Sequence, residues 1–116
     1  MPVLNHSQLN TLATRILEGA GTPAADAAVV GRELADANLV GHDSHGIMRL
    51  VQYCQMITDG HVKLGATPKV LKEAPGYALI DGGFNFGQVI MTQALETGIA
   101  KARENGTATV LIRNCN

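Results

Sequence analysis

The chain has 116 residues, enough for one small domain or a piece of a larger one. It is 46% hydrophobic and only 16% charged, so it can bury a core, and wholesale disorder is excluded. A net charge of −1, no basic tract, two Tyr, two Phe and no Trp provide neither a phosphate-attracting field nor a base-stacking platform, which argues against nucleic acid as a partner.

No apolar run has the length of a membrane span. The opening "MPVLNHSQLN" lacks the basic region and the apolar segment of a secretory signal. Cys54 and Cys115 lie far apart, without the spacing of metal ligands. These features suit a cytoplasmic protein with reduced thiols and no metal site.

In chain order, the first predicted element is an amphipathic helix. Leu9, Leu12, Ala13, Ile16, Leu17 and Ala20 fall on one stripe, Ser7 can cap the start, and Gly19 and Gly21 suit the end. "TPAADAAVVGRELADANLVG" predicts a second helix, with Thr22 as cap, Pro23 in the first turn and Gly41 as the stop. Its core face would be Ala27, Val30, Leu34 and Ala37. A third helix is predicted from Ser44 to Thr58, ending at Gly60.

Near Pro68 the period changes. Strands are predicted over 69–73 and 77–81, separated by the turn dipeptide Pro75–Gly76. A helix over 86–105 follows, with Ile90, Met91, Ala94, Leu95, Gly98 and Ala102 on one side, and then a β-branched strand over 107–113. The predicted class is α+β: an N-terminal helical segment over 1–66, then β-β-α-β over 67–116 as the start of a mixed sheet. The final "LIRNCN", a strand and a polar tip, reads as truncation, because a strand needs neighbours and a cover.

The segment "GHDSHGIMRLVQY" concentrates side chains suited to chemistry. On a continuous helix His45, Arg49 and Tyr53 rise along one side, opposite Ile47, Leu50, Val51, Cys54 and Ile57. Imidazole, guanidinium and phenol together suit a small carboxylated substrate. Arg49 could grip the carboxylate through two parallel hydrogen bonds while His45 exchanges a proton. A polar row opposite an apolar one is also what any solvated surface helix shows. His42, His6 and His61 acquire no role.

"IDGGFNFGQ" runs from a strand through a glycine-rich turn into a helix, a place where phosphate can bind. Its spacing is not G-x-G-x-x-G, and the next strand ends in Arg113–Asn114, without the acidic residue that would hold a ribose. Turning the backbone and packing the helix closely are the competing uses of these glycines.

With "GYALIDGGFNFGQ" and "TATVLIRNCN" following in that order, the pattern S-H-G-x-x-R-x-x-x-Y resembles the malate/L-lactate dehydrogenase family over almost the whole chain. This family of non-Rossmann, NAD- or NADP-dependent 2-hydroxyacid oxidoreductases includes ureidoglycolate, sulfolactate and diketogulonate relatives. The resemblance implies helices beside an unusual mixed sheet in a homodimer, and hydride transfer between nicotinamide and a small 2-hydroxy or 2-keto acid. It places Ser44, Arg49 and Tyr53 near the substrate and matches His45 to a proton donor. It also implies a second histidine directly after Asn116 and further cofactor-binding segments downstream. The 116 residues alone are therefore expected to have little or no activity. The competing reading is a non-catalytic fragment, or a helical interaction or dimerisation module.

Overall fold

The computed structural model describes residues 2–116. It divides into two compact units, one up to Gly65 and one from Ala66 to Asn116. The first contains helices α1 (His6–Gly19), α2 (Ala24–Leu39) and α3 (Leu50–Thr58). The second contains β1 (Lys69–Ala74), β2 (Tyr77–Asp81), helix α4 (Gly87–Asn105) and β3 (Thr109–Arg113). This is the α+β class that the change of period predicts.

In the first unit, α1 and α2 pack together through Ala13 and Leu17 on one side and Ala27, Val30, Leu34 and Ala35 on the other, all buried. Gly31 permits the close approach. A Cβ there would lie 2.4 Å from Thr14 Oγ1 and 2.9 Å from the Thr14 backbone nitrogen. Ala37, expected in this core, is only half-buried, and Leu12 and Ile16 stay exposed.

The caps differ from expectation. Asn5, not Ser7, caps α1: its side chain accepts from Gln8 N at 2.9 Å, and Gln8 Oε1 accepts from Asn5 N at 3.0 Å. This reciprocal box satisfies two groups, where a lone Ser7 would satisfy one. Thr22 does not cap α2. Its hydroxyl is buried with no hydrogen-bond partner among the described residues, and the helix starts behind Pro23 without a side-chain cap.

The largest departure concerns the third helix, which does not run continuously from Ser44. Two 3-10 turns, Asp43–His45 and Ile47–Arg49, precede α3, and Gly46 between them is extended at φ −89° and ψ −153°. Gly46 N donates to the Asp43 carbonyl at 3.0 Å, taking the acceptor that Ile47 N would use in an α-helix.

In the second unit the strand order is β1-β2-β3. β1 and β2 pair antiparallel across the Pro75–Gly76 turn, with a register shift between Val70 and Lys72. β2 and β3 pair parallel, from Tyr77 opposite Thr109 to Asp81 opposite Arg113, and α4 makes the crossover. Ala78, Ile80 and Ala94 form the buried centre, with Val110 and Ile112 packed against it. The alternation in β2 thus aims Ala78 and Ile80 at α4. Met91 and Leu95 of α4, expected inward, remain more than half exposed.

Candidate active site

Ser44 is the hub of the histidine-bearing segment. Its hydroxyl lies 3.0 Å from His45 Nδ1, and its carbonyl accepts from Arg49 Nε at 2.8 Å. Arg49 Nη1 donates to Gln52 Oε1 at 2.7 Å, while Nη2 has no protein partner among the described residues. The exposed His45 ring leans on that of His42, with centroids 4.1 Å apart. Three of the four predicted site residues, Ser44, His45 and Arg49, therefore form one connected cluster.

They do not reach it as a helical row. The extended Gly46 resets the phase between His45 and Arg49. Tyr53 then falls on α3 in the same stripe as Leu50, Cys54 and Ile57 and is half-buried, whereas Val51 turns outward at 81% exposure. Beside the cluster is a shallow groove of ≈ 640 Å³, lined by Ser44, Arg49, Gln52 and Gln55 together with Met48, Val51 and Met56. A groove lined by an arginine and apolar side chains suits a small organic acid.

The glycine-rich turn of the second unit is filled by its own chain. Gly82 N donates to the Arg113 carbonyl, Phe84 N to the Asn114 carbonyl, and Gly87 N at the start of α4 to the Asn116 carbonyl. A Cβ on Gly82 would lie 2.9 Å from Asn114 O, and one on Gly87 would lie 2.8 Å from Asn116 O. The space and the amides that a pyrophosphate would need are taken by residues 113–116. This turn does not fit a dinucleotide phosphate; Gly82 and Gly87 serve close packing, and Gly83 supplies a left-handed backbone at φ +60°.

Asp81 organises the same corner. Its carboxylate accepts from Gly83 N at 2.9 Å, Asn114 Nδ2 at 2.7 Å and Arg113 Nε at 3.1 Å. Sequence reasoning passed over it, although Asp-Gly-Gly is the signature of an Asx turn, in which the carboxylate caps the amide two residues on. It also passed over Asn38 of α2, whose amide bonds both Asp43 and Ile47. The only local signal for that was a glycine, Gly46, inside an otherwise helical pattern.

Residues 4–116 match the model of the family described as malate/L-lactate dehydrogenase. The chain belongs to that family. Among malate/L-lactate dehydrogenase relatives, it is 40% identical over 109 residues to a malate dehydrogenase of Pyrococcus abyssi, covering 94% of this chain and 30% of that enzyme. It is 38% identical over 101 residues to an L-sulfolactate dehydrogenase of Methanocaldococcus jannaschii, covering 87% of this chain and 29% of the relative. The solved malate dehydrogenase of Pyrococcus horikoshii superposes with a TM-score of 0.93 at 37% identity, covering 97% of this chain and 32% of that one. The chain thus spans about 30% of the length of the curated malate/L-lactate dehydrogenase relatives it matches. The resemblance read from the S-H-G-x-x-R-x-x-x-Y motif is correct at the level of the family.

Proposed function

We propose that this chain forms part of an NAD- or NADP-dependent oxidoreductase acting on a small 2-hydroxy or 2-keto acid of the malate or lactate type, as a homodimer. The observation that carries the reading is the family match across residues 4–116. The nicotinamide would accept or supply the hydride at C2 of the substrate. Because the glycine turn offers no cradle for that cofactor, the steps assigned to this chain concern substrate and proton only.

Arg49 binds the substrate carboxylate through the guanidinium N–H groups left free by Ser44 and Gln52. His45 moves the proton at the C2 oxygen. As proton donor His45 is the imidazolium, protonated on both nitrogens: Nδ1–H donates to the Ser44 hydroxyl oxygen, and Nε2–H at the exposed edge passes its proton to the C2 oxygen and leaves neutral imidazole. The family motif alone supports a substrate role for Tyr53, which does not line the groove. Hydroxyacid-dependent reduction of NAD and NADP by the complete gene product tests the reading, with malate, lactate and sulfolactate as substrates. Turnover of at least one pair supports it; no turnover with any overturns it.

A further inference from the structure

We propose that Asn38 is the positioning residue of this site: one side-chain amide on α2 braces the two short turns that carry His45 and Arg49. Its catalytic meaning rests on the dehydrogenase reading, whereas the brace itself stands on geometry alone.

A single amide serves both turns. Asn38 Nδ2 donates to Asp43 Oδ1 at 2.6 Å in the first turn, and Asn38 Oδ1 accepts from Ile47 N at 2.8 Å in the second. Between them Gly46 is buried against the amide plane. A Cβ there would lie 2.1 Å from Oδ1, 2.4 Å from Cγ and 2.6 Å from Nδ2. The Gly46 φ of −89° is open to any residue, so glycine is needed for space and not for conformation. Asn38 is itself anchored near the end of α2, where its carbonyl accepts from Gly41 N at 3.0 Å.

The brace selects between two geometries. In a helix continued upstream from α3, Ile47 N would bond to the Asp43 carbonyl, and His45, Arg49 and Tyr53 would share one face. Asn38 supplies Ile47 with a different acceptor, which leaves Gly46 extended. The chain then folds back so that the Ser44 carbonyl meets Arg49 Nε and the Ser44 hydroxyl meets His45. Asparagine suits the task because its short amide offers a donor and an acceptor side by side without charge.

Two variants of similar size separate bracing from space-filling. Asn38→Asp combined with Asp43→Asn keeps the acceptor for Ile47 and exchanges donor and acceptor in the bond between residues 38 and 43, so that no two carboxylates meet; Asn38→Leu loses both bonds. Amide hydrogen exchange on the intact chain is the readout. In Asn38→Leu, Ile47 should exchange about tenfold faster or more while the core amides of α1 and α2 keep their protection, and in the double variant it should stay within about threefold of the parent rate. Space-filling alone leaves Ile47 near the parent rate in both variants. In the complete enzyme, kcat/KM for the hydroxyacid should fall about tenfold in Asn38→Leu and largely return in the double variant.

Unchanged exchange at Ile47 in Asn38→Leu overturns the brace. If Asn38→Leu loses protection throughout α1 and α2, then the double variant decides: protected Ile47 upholds the brace, and exposed Ile47 overturns it. Should the parent protein turn over no hydroxyacid, the proposed function fails, and exchange at Ile47 still settles the brace.

Discussion

Asn114 Nδ2 donates to the Asp81 carboxylate at 2.7 Å, joining the exits of two strands at residues 33 apart in sequence. The Gly83 amide, then Asn114, then Arg113 hold the Asp81 pKa below the usual carboxylate range, against the opposing effect of desolvation. A depressed folded pKa contributes stability that is fully present above the unfolded value, and this contribution is lost as pH falls through the folded one. Denaturant unfolding of the parent chain and of Asp81→Asn should therefore diverge above about pH 4 and converge in stronger acid. Curves that stay parallel across that range would show that Asp81 does not clamp the corner.

His45→Ala should chiefly lower kcat, by roughly 10²–10⁴-fold on the usual scale of acid–base catalysis. Its exposed ring makes little core contact, so circular dichroism should be unchanged. Steady-state kinetics on the complete gene product is the check, and a normal kcat would remove His45 from the proton-transfer role.

For Arg49, the lysine variant is more informative than the alanine one. A lysine cannot reproduce the planar fork, so Arg49→Lys should lose nearly as much kcat/KM as Arg49→Ala. The expected loss is about 1.5–3 kcal/mol, or one to two powers of ten. Near-normal kcat/KM in Arg49→Lys would mean that a point charge suffices at this edge of the groove.

Gly31→Ala should destabilise the first unit although alanine favours helices by about 1 kcal/mol. The new methyl meets the backbone of Thr14, which cannot step aside as a side chain could, so a net loss of about 1–3 kcal/mol is expected from urea titration. Gly19→Ala is the control, since a Cβ there meets nothing within 4 Å. Equal stabilities for the two variants would contradict close packing of α1 on α2.

Much of the fold was legible because local pattern and tertiary packing agree. The alternation of Ala78 and Ile80, the Pro75–Gly76 turn and the long period of 87–105 each point to the element that forms. The start of the third helix was not legible. The atom that redirects Ile47 N belongs to Asn38, nine residues away on another helix, and hydrophobic period carries no trace of such a side-chain bond. The Asn5 cap could have been read, since Gln8 stands three residues on, as in a capping box. Ser44, His45 and Arg49 do gather, but through a fold-back at Gly46 and not through helical spacing. Residues 113–116, which fill the glycine turn, come from the far end of a parallel crossover, and periodicity carries no information about such a contact.

That crossover orders events in time. The β1–β2 hairpin needs only neighbours across a tight turn, and the α1–α2 pair likewise draws on nearby sequence. β2 gains its parallel partner only after the whole of α4 and then Thr109–Arg113 exist. At roughly 5–20 residues per second on the ribosome, the second edge of β2 stays bare for on the order of seconds. Non-local pairing of this kind is also the slow step in refolding, because the intervening loop must close before any contact compensates for it. The helical unit should therefore acquire protection first, and the glycine turn at Gly82 should be among the last amides to become protected.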